Sequence, residues 1–207
     1  MSKVGYQFNL YAKDYDKLSG VLAVSKHPIQ SLPEFGPTSF PNRWLHFTTG
    51  AAGIEFLGIY LNGSLGPPET LEQKQAFWDH ISISADKLLQ RHAVILGDLN
   101  TGLHRVDEEQ ATFRCAPSFK GLTDSGWTDA FRHLHGDQRA YSWWSTRRGF
   151  RLDHAFVTPT LAAAVKSAEY IARTPSHVLA HEGPRPWPKD LGPALSDHAA
   201  LVIEINA

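Results

Sequence analysis

Five side chains in three short clusters have the types and spacing for hydrolytic chemistry: Asp98 and Asn100 in Gly97-Asp98-Leu99-Asn100, Asp153 after Arg151-Leu152, and Asp197-His198 after Ser196. Each cluster stands at the end of an apolar segment, where a strand would present it to solvent. Alone, each has a plainer account. Gly-Asp-x-Asn is also an Asx turn, in which Asp and Asn side chains bond their own backbone, and the other two read as solvated strand ends. Together they supply hard oxygen ligands for Mg²⁺ or Mn²⁺, a carboxylate to position a water, and an imidazole to stabilise a pentavalent oxyanion. Metal-assisted hydrolysis of a phosphodiester needs that combination.

The elements that must carry these residues follow from periodicity. Thr70 and Gln73 have capping-box spacing after Pro67-Pro68, and Phe77, Ile81, Ala85 and Leu88 then recur at three- to four-residue steps, which predicts a helix over about 71–90. The continuous apolar run Ala93-Val94-Ile95-Leu96 that follows predicts a strand buried on both faces, ending at Asp98. Further strands are expected over 20–24, 43–48, 54–61, 141–145, 151–157, 165–173 and 199–205, the last with Leu201, Ile203 and Ile205 on one face. Between 174 and 196, Pro175, Pro184, Pro186, Pro188 and Pro193 exclude continuous helix or central strand. That long loop runs directly into Ser196-Asp197-His198, and long loops in compact domains tend to be functional or mobile.

Bulk composition narrows the class. A chain of 207 residues, 42% hydrophobic and 20% charged, is expected to form a single globular domain over 1–207. A lone cysteine, Cys115, excludes an internal disulfide, and no signal-peptide pattern or bilayer-spanning run occurs, so a cytoplasmic protein is expected. A formal charge of -1 gives no general attraction to a polyanion, so any nucleic-acid surface must be local. Arg147, Arg148 and Arg151, with Arg132, Arg139 and Arg173, offer such a patch beside Trp143 and Phe150. The same residues also read as solvated arginines over a Trp-filled core.

In this order the clusters resemble the endonuclease/exonuclease/phosphatase superfamily, whose signatures end in G-D-x-N, R-[IL]-D and S-D-H. The run Gly126-Trp127-Thr128-Asp129-Ala130-Phe131-Arg132, then Tyr141-Ser142-Trp143-Trp144-Ser145 and Arg151-Leu152-Asp153-His154, is similar to the exonuclease III and apurinic endonuclease branch. Phosphatase and sphingomyelinase branches usually lack the paired tryptophans. The resemblance implies an α/β fold, a two-sheet β-sandwich flanked by helices in four layers, and a Mg²⁺- or Mn²⁺-dependent nuclease with DNA as its partner. Asp98 would activate or orient the attacking water, and Asn100 would hold that water or the scissile phosphate. Asp197 would bind the metal, with Asp98 and Asn100 beside it; His198 would stabilise the developing charge, its ring oriented by Asp153. Tyr60, Asn62, Trp143, Arg147, Arg148, Phe150, Arg151 and Leu152 would contact substrate.

Three departures accompany the resemblance. The chain matches the family only from its later segment, so it is expected to be N-terminally truncated, without the strand-helix-strand unit whose Glu is a principal metal ligand; Glu34, Glu55 and Glu69 are candidate substitutes. The run Tyr60-Leu61-Asn62-Gly63 lacks one residue of the family's Y-x-P-N-G, so either Tyr60 or Asn62 aligns, not both; an ordinary turn is the other reading. The span Ser145 to Phe150 is short where the apurinic branch has a longer loop before the pocket aromatic, with Trp143, Phe150 and Leu152 as pocket candidates. Two rival functions stay open, a phosphatase or phosphodiesterase acting on a small substrate and a catalytically impaired DNA-binding remnant. A rival Zn²⁺ site at His177, His181 and Glu182 has i,i+4 spacing but sits among prolines. Deletion of the first unit would expose a strand edge and an apolar face, from which a homodimer is expected.

Overall fold

The computed structural model describes residues 5–12, 20–32, 40–50, 53–61, 63 and 68–206. Its frame is a six-stranded sheet built from β3 (Ile29–Ser31), β4 (Trp44–Thr49), β5 (Ile54–Tyr60), β6 (Ala93–Asp98), β10 (Asp153–Val157) and β7 (Thr128–Asp129), in that spatial order. A hairpin of β1 (Phe8–Tyr11) and β2 (Leu22–Ser25) lies against β3 and β4. The parallel pair β5 and β6 is joined by helix α1 (Pro68–Leu88), the long crossover that parallel strands require. Sequence periodicity predicts that helix to within three residues. The side chain of Thr70, the expected cap, lies outside those described.

Alternation along the central strands sorts the core onto two faces. Leu57 and Ile59 of β5, Ile95 of β6 and Phe156 of β10 pack against Phe77, Trp78, Ile81 and Leu88 of α1 and against Phe119 and Leu122 of α2 (Ala116–Asp124). Val94, Ala155 and Val157 point to the other face. There they meet Val165 and Ala168 of β11 (Val165–Ile171), Leu201, Ile203 and Ile205 of β12 (Ala200–Ile205), Phe131 of α3 (Ala130–His135) and Leu161 of α4 (Pro159–Ala162). The fold is thus an α/β sandwich of sheets flanked by helices. Its second sheet on that face is the antiparallel β11–β12 ribbon, and β12 exposes every other residue as its sequence predicts.

The differences from expectation have local causes. The strand expected over 141–145 shrinks to β8 (Trp143–Trp144), paired with β9 (Gly149–Phe150). The Ser145 hydroxyl accepts the Arg147 and Arg148 N–H groups at 3.2 and 3.1 Å and curls the chain into a turn. Helix α3, unannounced by periodicity, is only six residues long and is capped by Asp129, whose carboxylate accepts the Arg132 N–H at 3.1 Å.

Arg151 requires the largest correction. Expected on a DNA-facing surface, it is fully buried: its Nε donates to Asp107 Oδ1 at 2.6 Å, and its Nη1 and Nη2 donate to the two oxygens of Asp129 at 3.1 and 2.6 Å. Arg132 Nη2 also donates to Asp107, so two guanidinium groups balance two carboxylates. Leu152, another expected substrate contact, is buried with Phe113 and Ala116 beneath Trp143 and Phe150. The Arg151 charge holds the Asp129 carboxyl far below the ordinary carboxylate range despite its burial, and the same pairing raises Arg151 well above its own. Removing one partner of such a pair leaves an uncompensated charge in the interior. Asp129→Ala is expected to cost about 3–5 kcal/mol of folding stability, measured by urea denaturation; a loss below about 1 kcal/mol would show that water reaches Arg151.

Candidate active site

β6 and β10 run antiparallel with Asp98 opposite Asp153, and β5 runs parallel to β6 with Tyr60 beside Asp98, so three of the expected residues meet at one end of the sheet. Gly97 makes this approach possible. It sits at φ +137, and a Cβ there would stand 1.9 Å from the Ile59 carbonyl oxygen. Asp197 and His198 arrive on the segment that leads into β12. An isolated bridge pairs Trp143 with His198, and the Ala199 N–H donates to Ser142 O at 2.8 Å. Ser142 Oγ in turn accepts the N–H groups of Leu152 and Asp153 at 2.9 and 3.2 Å.

Asp98 and Asn100 form the expected Asx turn, and that turn is itself part of the site. Asp98 Oδ1 accepts the Asn100 N–H at 2.9 Å and Oδ2 accepts Asn100 Nδ2 at 2.8 Å; Nδ2 also donates to Leu61 O at 2.8 Å. Asn100 is thereby held at φ 44, a conformation that Asn tolerates better than most residues. Lys74, buried on the apolar face of α1, clamps the turn from below: its Nζ donates to Asn100 O at 2.6 Å. Burial pulls the Lys74 ammonium down to about 8, against the attraction of Cys115 and Asp98.

His198 Nδ1 lies 2.7 Å from Asp153 Oδ2. Burial depresses the imidazolium, but the Asp153 hydrogen bond and the charges of Asp153, Asp98 and Asp197 outweigh it, and the pKa lies above the ordinary histidine value. With Nδ1–H donated to Asp153, Nε2 is left to face a ligand. Asp98 is raised as well. Burial, then the Asp153 charge, push it up to about 7, against the opposing pull of His198, the Asn100 N–H and Lys74. Asp197 is more exposed. Burial raises its carboxyl, but hydrogen bonds from Arg185 and Trp143 hold it below the usual range, with Arg185 Nη2 at 2.8 Å and Trp143 Nε1 at 3.0 Å from Oδ2.

Among the expected substrate contacts, Trp143 and Phe150 stand together with ring centroids 5.8 Å apart, and Arg148 lies over Phe150 at 5.2 Å. Arg147 is exposed nearby. Tyr60 meets Arg43 at 5.1 Å from its ring centroid. Asn62 and Glu34 lie outside the described residues, as does the side chain of Glu69. Glu55 is no substitute metal ligand, because it starts β5 at the end remote from Asp98 and bonds His46 at 3.1 Å and Arg91 at 3.2 Å. His181 Nε2 bonds Gly192 O at 3.0 Å, and among the described residues no three His, Cys, Asp or Glu side chains form a metal-holding group, the histidine pair included. The Asp98, Asn100 and Asp197 donors fit a divalent cation in kind, since all three offer hard oxygen. Asp107, Ser142 and Arg185 had no sequence signal. Lys74 had one, its place in the Phe77–Ile81 apolar stripe.

This sandwich, with two carboxylates facing across antiparallel strands and a carboxylate-bound histidine beside them, defines a hydrolytic α/β class. Residues 3–198 match the Endonuclease/Exonuclease/phosphatase family, and the chain belongs to it. An exodeoxyribonuclease of Streptococcus pneumoniae serotype 4 is 28% identical over 200 residues, covering 86% of this chain and 66% of its own length. One from Bacillus subtilis is 25% identical over 173 residues, 74% of this chain and 69% of its own. The chain thus spans about two thirds of the length of these curated relatives. A 3′–5′ exonuclease from Neisseria meningitidis superposes with a TM-score of 0.73 at 22% identity, over 100% of this chain and 82% of that one. An AP endonuclease from Archaeoglobus fulgidus gives 0.70 at 18%, over 100% and 81%. Both structures share the fold.

A carboxyl raised from 3.8 to about 7 binds its proton more tightly in the folded chain than in the unfolded one. Its contribution to stability is therefore full below about pH 4 and is lost as pH rises through 7. In chelator, Asp98→Asn is expected to melt higher than wild type above pH 7 and to lose that advantage by pH 4; a pH-independent difference in Tm would contradict the shift. Asp153→Asn should lower the His198 pKa, read by NMR titration of the imidazole, and an unchanged value would remove Asp153 as its cause.

Proposed function

We propose that the chain is a divalent-metal-dependent DNA nuclease of the exonuclease or apurinic-endonuclease type, placed in the cytoplasm. The observation that carries the reading is the Asp153–His198 pair at 2.7 Å, set beside the Asp98–Asn100 turn. Asp98 orients the attacking water, and Asn100, whose two amide hydrogens are taken by Leu61 O and Asp98, offers its Oδ1 to that water. His198, its Nδ1 held by Asp153, presents Nε2 to the phosphoryl oxygen where negative charge grows. Asp98, Asn100 and Asp197 would hold Mg²⁺ or Mn²⁺, which supplies charge neutralisation and lowers the pKa of bound water. Trp143 and Phe150 offer a stacking surface, with Arg147 and Arg148 at its edge for phosphate. No helix among the described residues is long and apolar enough to cross a membrane.

Hydrolysis of a labelled DNA duplex should stop in chelator and return with Mg²⁺ or Mn²⁺. Asp197→Asn and His198→Ala should each slow it ~10²- to 10³-fold with the fold intact. Wild-type turnover in either variant, or turnover of small phosphoesters with none of DNA, overturns the reading. A homodimer also belongs to the proposal, supported by Tyr6, Phe8, Tyr11 and Val24 exposed on the β1–β2 hairpin. Light scattering at micromolar concentration tests it, and a monodisperse monomer excludes it.

A further inference from the structure

The long proline-rich loop delivers an arginine to the site. The Arg185 guanidinium carbon lies 5.1 Å from the Trp143 ring centroid and 4.8 Å from that of Trp187, both cation–π distances, so the head group is bracketed by the two indoles. Its backbone N–H donates to Ser145 O at 2.9 Å, which ties the loop to the turn between β8 and β9. Trp187 is fixed in its own right: its Nε1 donates to Gly183 O at 2.9 Å and its ring meets His181 at 4.9 Å. These contacts aim Arg185 Nη2 at Asp197 Oδ2, one residue from His198.

The protein does not use up this guanidinium. Asp197 takes Nη2, and Nε is buried with no hydrogen-bond partner among the described residues. Arginine carries five donors in a planar fork that matches a phosphate, and a fork already immobilised between rings loses little freedom on binding one. The position is also suited to a polyanion, because Arg147 and Arg148 stand on the neighbouring turn while Arg151 and Arg132 are consumed in the interior.

We infer that Arg185 is a phosphate-contacting residue of this site, holding a DNA backbone phosphate next to the scissile one and so helping to determine which DNA ends are accepted. This rests on the nuclease reading above. Asp197 keeps one edge of the fork in place while the remaining donors take the phosphate. Arg185 is in that sense the substitute for Arg151, which has the same chemistry but no access.

Binding of a fluorescent DNA duplex to the full chain, in chelator so that no turnover occurs, is measured over a range of salt concentrations. Each phosphate contact contributes roughly 0.7–0.9 to the slope of log K against log salt. Arg185→Gln should lose about one such increment, and Arg185→Lys should retain it. Equal slopes in wild type and Arg185→Gln overturn the inference while leaving the nuclease reading standing; a wild type that binds no DNA overturns both. Should Arg185→Gln fail to fold, Trp187→Ala decides, since it loosens the clamp and keeps the charge. A retained slope with weakened affinity then supports the inference, and unchanged affinity overturns it.

Discussion

A charge that cannot leave the interior organises this molecule. Arg151 is enclosed by Asp107 on one side and Asp129 on the other, and its backbone N–H donates to Asp107 O at 2.9 Å. In a low-dielectric interior that arrangement tolerates no drift, because any separation leaves a buried charge uncompensated. The two residues that follow Arg151 are therefore placed with it. Leu152 O accepts the Leu99 N–H at 2.9 Å, and Asp153 falls opposite Asp98. Packing around the pair is equally intolerant: a Cβ on Gly102 would stand 2.6 Å from the Asp107 Cβ.

The placement of Asp153 favours the protonated form of both its neighbours. Its charge helps raise Asp98, which has little compensation, and its hydrogen bond raises His198, which gains a partner. One carboxylate thus sets a neighbouring acid toward neutrality and a neighbouring base toward protonation. A divalent cation held there would act on the first of these, because positive charge beside Asp98 favours its ionised form. Tyr170, whose hydroxyl donates to the Asp153 carbonyl at 2.5 Å, extends the buried network to the β11–β12 ribbon.

Lys74, His198 and Arg185 reach this end of the sheet by different routes, and each meets a different partner. Lys74 comes up from the helix layer and stays below the turn, touching backbone. His198 comes on the segment just before β12. Arg185 comes over the top on an irregular loop. The loop is tied by scattered backbone bonds, among them Leu195 N–H to Val178 O at 3.1 Å and Ser196 N–H to Leu179 O at 2.8 Å, and by the His181–Trp187–Arg185–Trp143 stack of side chains. Prolines at 184, 186 and 188 suit such a segment, since they restrict the chain without needing hydrogen-bond donors of their own.

From the amino-acid order alone, α1, β6, β12 and the three clusters Asp98-x-Asn100, Asp153 and Asp197-His198 were legible. They depend on local periodicity and short motifs that operate within a few residues. The convergence of those clusters was legible only through family resemblance. The fate of the arginines was not legible at all. Arg147, Arg148 and Arg151 are chemically identical and nearly adjacent, yet one is exposed, one lies over Phe150 and one is fully buried. What separates them is Asp107 and Asp129, 44 and 22 residues from Arg151 along the chain. Arg185 shows the converse, a loop residue with no motif brought beside Asp197 by two tryptophans, one of them on a distant strand. Local patterns decide which segments are helix or strand, but electrostatic pairing acts through space, so only the folded chain decides which charges face a substrate.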